Sequence, residues 1–197
     1  MTKKPPQNET RERIMDTAES LFMTRGYSGV RLRDIADAVG MKHASLYYYV
    51  PKGKEQLFVA VVRRSMARHE SEMTRLLDLS AGDIHQQAYA VSDWLVSQPP
   101  LDLVRMAESD LRQIDPDVAA ELTTLLLGSL TRPLIQALET ARESTIVDVI
   151  SPGVAAMSLV TLIQSVHHIP EATIPEGRAA FGRKLVDMLL YGWLRRE

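Results

Sequence analysis

Residues 31–50 read RLRDIADAVGMKHASLYYYV, and this stretch decides the fold. Leu32, Ile35, Ala36 and Val39 recur at helical spacing and mark one short helix, which Gly40 closes in the left-handed conformation. A second helix starts near His43, carries Leu46 and Val50 on its inner face, and stops at Pro51-Lys52-Gly53. Two short helices meeting at a glycine form a helix-turn-helix, in which the first helix braces the second across a DNA groove. Ala36 has to be small where the two backbones approach. The alternative is an ordinary helical hairpin in a bundle core. Against it stands the polar run Lys42-His43-Ala44-Ser45, followed by Tyr47-Tyr48-Tyr49. Three consecutive helical residues point in three directions, so the tyrosines cannot all be buried. Exposed phenols beside cations suit phosphates, offering a hydroxyl donor and a flat face.

Outward from this motif every segment keeps a helical period, and alternating strand patterns are missing. Ile14, Ala18, Leu21, Phe22 and Arg25 predict a first helix over about 10–25, capped by Gly26. Lys54 to about Leu79 predicts a long helix broken by Ser80-Ala81-Gly82. Further helices are expected at 83–97, 101–113, 117–143 (kinked or split at Pro133), 153–168 and 176–196. The fold class is therefore all-α, with about nine helices. The expected division is a DNA-binding domain over 1–56 and a larger helical domain over 57–197.

The 197 residues contain no cysteine, which removes disulfides and thiolate metal sites and suits a reducing cytoplasm. The opening MTKKPPQNETRER lacks the apolar stretch of a signal peptide, and the longest apolar run, 154–163, is about half the ~20 residues of a membrane span. A soluble cytoplasmic protein that does not engage membrane is expected. The net charge of −2 is uneven: residues 1–78 hold 14 Lys/Arg against 10 Asp/Glu, and the remainder 9 against 15. A basic front and acidic rear fit a polyanion met by the front alone.

The span RERIMDTAESLFMTRGYSGVRLRDIADAVGMKHASLYYYVPKGKEQLF closely resembles the N-terminal domain of TetR-type regulators. The resemblance lies in Ile14, Ala18, Leu21-Phe22, Gly26-Tyr27, Asp34-Ile35-Ala36, Gly40-Met41, Leu46-Tyr47 and Lys54-Glu55-Gln56-Leu57. It covers about sixty residues; the remainder fits in length and helix pattern. It implies a homodimeric repressor on an operator of double-stranded DNA, released by a small-molecule effector of unknown identity. It also implies that Lys42 to Tyr49 lie in the major groove, with Tyr47 and Lys54 on phosphates. Lys54 suits that role independently, because it opens a helix whose free N–H groups favour an anion. His43 and Ser45 suit base edges, and Ala44 a thymine methyl. Arg31, Arg33, Tyr48 and Tyr49 complete the expected DNA-facing set. Arg31 and Lys42 depart from the family pattern, which usually has hydroxyl caps there. We expect both cations to exchange a cap worth about 0.5–2 kcal/mol for phosphate contacts. The alternative is that Asp34 or water satisfies the helix end while Arg31 is merely solvated.

The larger half carries no motif of comparable strength. Met66, Met73, Tyr89, Trp94, Met106 and Leu126 are candidates to line an adaptable effector pocket, with Arg105, Glu108, Asp110, His85 or Gln164 to orient a polar group. Helices 153–168 and 176–196 are apolar almost all round, so more than one side must be covered. Met157, Val160, Leu185, Met188, Leu189 and Trp193 are expected in a two-fold four-helix interface with a second copy. The adjacent His167-His168 pair diverges by ~100° on a helix and predicts no metal site. No cofactor is expected. With no glycine-framed nucleophile and no phosphate loop, an enzyme is not expected. The competing class is a DNA-binding architectural or protein-interaction module without an effector.

Overall fold

The structure is a computed structural model, and residues 7–144, 146 and 151–191 are described. Among these no strand occurs. The elements are α1 (Gln7–Arg25), α2 (Leu32–Val39), α3 (His43–Tyr49), α4 (Lys54–Leu79), α5 (Ile84–Ser97), α6 (Leu103–Arg105), α7 (Pro116–Glu143), α8 (Pro152–Ser165) and α9 (Arg178–Tyr191). The all-α expectation holds. The segment 101–113 does not form the single helix its period predicts. Asp102 caps the one-turn α6, a π-helical turn follows over Met106–Asp110, and a 3-10 turn closes at Gln113. α7 continues through Pro133 instead of splitting there.

Two compact units emerge, and they do not follow the linear order of the chain. One takes the residues up to Met66 together with Leu101–Leu125; the other takes Ala67–Pro100 and the residues from Leu126 onward. α4 and α7 contribute to both.

In the first unit α1 packs on α2, and α2 on α3. Ile14, Ala18, Phe22, Ile35, Ala36, Leu46, Leu57, Phe58 and Val61 are each at most 1% exposed. Phe22, Tyr27 and Phe58 form an aromatic cluster, with Phe58 at 5.2 Å from Phe22 and 5.0 Å from Tyr27 in edge-to-face contact. Gly40 adopts φ +77°, and its amide donates to the carbonyl of Asp37, stopping α2 sharply.

In the second unit, α5 starts at Asp83, whose carboxylate accepts from the amides of His85 and Gln86. α5 runs against α9, and the contact is tight: a Cβ on Gly182 would meet Ser92 Oγ at 2.7 Å. α7 is long and apolar enough to cross a membrane by length and composition. Its apolar residues nevertheless form a one-sided stripe, with Leu122, Leu126, Leu130, Leu134 and Leu138 buried four residues apart. The opposite face carries Glu121, Arg132 and Glu139, and Glu121 and Arg132 are ion-paired to Arg63 and Glu70. That pattern belongs to the core helix of a folded domain.

Candidate nucleic-acid interface

The helix-turn-helix separates its residues cleanly. Ile35, Ala36, Val39, Leu46 and Val50 are buried on the inner face. Arg31, Arg33, Lys42, His43, Ala44 and Ser45 are exposed on the outer one. The tyrosines divide as their angular spread requires. Tyr47 is 47% and Tyr48 72% exposed, whereas Tyr49 is half-buried. Aromatic contacts pre-order this face: His43 lies edge-on to Tyr47 at 5.2 Å, and Tyr48 to Tyr49 at 5.3 Å.

The helix starts behave unequally. At α2, the Asp34 carboxylate accepts the Arg31 amide at 2.7 Å. This is one half of a capping box; an arginine side chain has no acceptor with which to supply the other half. At α3, Lys42 makes no side-chain cap. Both cationic side chains stay available to an anion, although Arg33 forms an exposed i,i+4 pair with Asp37 at 3.7 Å.

Lys54 is more occupied than its sequence position suggests. Its ammonium donates to the Tyr27 carbonyl at 3.0 Å and lies 3.9 Å above the Tyr27 ring. Burial lowers its pKa from the usual lysine value, and the charge of Asp110 opposes that shift. Lys52, read from the sequence only as part of a turn, stands exposed between Tyr49 and Lys54. Arg13 was also missed. Its guanidinium donates to the Val39 carbonyl at 2.9 Å and so satisfies the C-terminal end of α2. A lone arginine on a polar helix face gives no sign of this in sequence.

The residues considered for an effector pocket are not gathered in one place. Met66 and Met106 are core residues of the first unit. Arg105 is spent on the C-terminal end of α1, where it donates to the Met23 carbonyl at 2.6 Å. In the second unit Leu126 and Gln164 are buried, and Trp94 Nε1 donates to His69 Nδ1 at 3.2 Å. Tyr89 donates to Asp187 at 2.8 Å in a surface network with His85. The second unit's cavities lie elsewhere. One of about 330 Å³ is lined by Leu77, Ile84, Gln87, Ala88, Leu134, Leu138 and Leu159 among others. Another of about 450 Å³ opens beside Thr74, Asp78, Pro133 and Gln136.

The residues expected at a dimer face differ in exposure within the single chain. Leu189 is 41% and Val154 65% exposed, and Met157, Leu185 and Met188 are half-buried. Val160 is fully buried within its own chain and has no surface to offer a partner. It points inward because α8 packs on α5. Trp193 lies outside the described residues. Among the described residues no group of three His, Cys, Asp or Glu side chains could hold a metal ion.

Residues 14–61 match the family described as bacterial regulatory proteins, tetR family. The matched span begins in α1, contains the whole two-helix motif, and ends in α4. Over this head, 48 of the 197 residues, the chain is similar to the TetR family. The chain is 27% identical to the HTH-type transcriptional repressor NemR of Escherichia coli K12 over 95 residues, 48% of this chain and 47% of NemR. It thus spans about half the length of that relative. Its fold resembles the fatty acid degradation regulator FadR from Bacillus halodurans, with a TM-score of 0.74, 20% identity, and coverage of 99% of this chain and 100% of FadR. It also resembles AibR, solved with isovaleryl coenzyme A and operator DNA, with a TM-score of 0.71, 20% identity, and coverage of 92% and 98%. The likeness of fold accordingly extends over both units.

Proposed function

We propose that the chain is a sequence-specific DNA-binding transcription regulator, a homodimeric repressor whose paired α3 helices read a pseudo-palindromic operator in the major groove. One observation carries the reading. A motif with a fully buried inner face presents Lys42, His43, Ala44, Ser45, Tyr47 and Tyr48 outward on one short helix. Lys42, Arg31, Arg33 and Lys52 supply phosphate contacts. Lys54 adds one more, because its ammonium has three donors and only one is given to Tyr27. His43 and Ser45 read base edges, Ala44 packs on a thymine methyl, and Tyr49 supports Tyr48.

The second unit binds a small effector and holds the dimer together. The 330 Å³ cavity is the better seat, since its size and apolar lining suit an apolar or amphipathic molecule. AibR, of the same fold, was solved with both an acyl coenzyme A and operator DNA, which supports pairing the two roles in one chain. Release requires the effector to bind one pose of the paired heads better than the other. α4, which starts at Lys54 and contributes residues to both units, is one covalent route between them, and α7 is another. Thiol chemistry is not available to this chain, which has no cysteine. The protein works in the cytoplasm and is not an enzyme.

The test is selection of duplexes from a random pool, followed by thermal-shift screening of apolar and amphipathic compounds. The reading requires an enriched inverted repeat and a stabilising compound that lowers affinity for it. Enrichment without any such compound would favour an architectural module; no enrichment would remove DNA binding altogether.

A further inference from the structure

Asp110 is 1% exposed and takes no part in the outer face of α3 or in the cavities of the second unit. A buried carboxylate is costly unless its oxygens find donors, so its partners indicate what it is for. It ends the π-helical turn Met106–Asp110, a distortion of the kind that recurs at functional positions. Its Oδ1 accepts the amide N–H of Tyr27 at 2.8 Å, 83 residues away in sequence. Its Oδ2 lies 3.5 Å from Arg105 Nε, and Arg105 in turn holds the Met23 carbonyl. On the far side of the same residue, the Tyr27 carbonyl accepts the Lys54 ammonium at 3.0 Å. Asp110, the Tyr27 backbone and Lys54 are thus linked in series, all within the first unit.

We propose that Asp110 is a positioning residue for DNA binding: it fixes the Tyr27 backbone that aims Lys54, so residues 106–110 control whether Lys54 engages a phosphate. The proposal rests on the DNA-binding reading above. Geometry and charge act together here. The hydrogen bond sets where the Tyr27 carbonyl points, and the carboxylate charge favours the ammonium form of a part-buried lysine. Without Asp110 the turn loses its anchor, and Lys54 can follow the loosened carbonyl away from the DNA.

The experiment titrates a labelled duplex, selected from a random pool by the wild-type chain, at several NaCl concentrations. Each neutralised phosphate contributes about 0.9 to the slope of log affinity against log salt. Asp110→Ala should lower affinity and reduce that slope by about 0.9 per head. Lys54→Ala should do the same, and the double variant should lose no more than either single one. Asp110→Asn keeps an acceptor for the Tyr27 amide and should recover most of the slope. Where the alanine variant does not fold by circular dichroism, Asp110→Ser carries the same expectation, being too short to reach the amide. An unchanged slope in a folded variant, or additive losses in the double variant, would overturn the proposal. A wild-type chain that selects no duplex would instead overturn the DNA-binding reading itself.

Discussion

Asp34 holds Arg31 by its backbone, its carboxylate accepting the Arg31 amide at 2.7 Å while the guanidinium stays in solvent. At the start of α2 the Asp34 amide donates to the Arg31 carbonyl at 3.0 Å, and no side chain at position 31 caps it. Arg31→Thr adds a hydroxyl acceptor for the Asp34 amide and completes the capping box. We expect stabilisation of about 0.5–1 kcal/mol in urea unfolding, together with a shallower salt dependence of DNA binding. A gain in stability with an unchanged salt slope would mean that Arg31 is only solvated.

Two left-handed glycines separate backbone strain from steric conflict. Gly26 (φ +72°) and Gly40 (φ +77°) have nearly the same conformation, but their surroundings differ. A Cβ at Gly26 would lie 2.9 Å from Asp110 Oδ1, whereas nothing lies within 4 Å at Gly40. Gly40→Ala should cost about 1 kcal/mol from conformation alone. Gly26→Ala should cost more, up to roughly 3 kcal/mol, because it also pushes on a buried carboxylate. Equal losses in parallel urea titrations would mean that Asp110 yields freely.

His167 gives the second unit an acid-sensitive point. Burial holds its pKa below the usual histidine value, and its Nε2 faces the Leu95 carbonyl at 3.2 Å. The depressed group takes up protons more readily in the unfolded chain. Its contribution is therefore complete above about pH 6.5 and is lost as pH falls through the folded value. His167→Gln should flatten the decline in melting temperature as pH falls below about 6.5. A decline of the same steepness in the variant would assign it to other groups.

Exposed apolar residues on α8 and α9 predict self-association. Leu189→Glu, alone or with Met188→Glu, should shift the mass in sedimentation equilibrium from two chains to one. DNA affinity should fall at the same time, since two half-sites would no longer be gripped together. A wild-type chain that is monomeric at micromolar concentration would remove this part of the proposal.

How much was legible in the sequence follows from how local each cause is. Ile35, Ala36, Leu46 and the Gly40 stop lie within a dozen residues of one another, and helical period plus one glycine suffices to place them. The bounds of α4 follow equally from Gly53 and from Ser80-Ala81-Gly82. Segment 101–113 was misread because its shape depends on a distant partner. Asp110 reaches Tyr27 and Arg105 reaches Met23, and no periodicity carries that information. The same holds for Val160, whose apolar character fits a subunit interface and a private core equally well. Tyr89 and Trp94 are candidates for an effector pocket on sequence alone; the structure gives their polar atoms to Asp187 and His69.

The most direct test of the account is the set of duplexes retained from a random pool by the wild-type chain, His43→Ala and Ser45→Ala. The account predicts that the wild type enriches an inverted repeat with half-sites about 10–10.5 base pairs apart or a multiple of it. Each variant should keep the repeat but relax the base preference at one position of each half-site. Absence of enrichment, or three identical consensus sites of equal strength, would contradict the assignment of α3 as the reading helix.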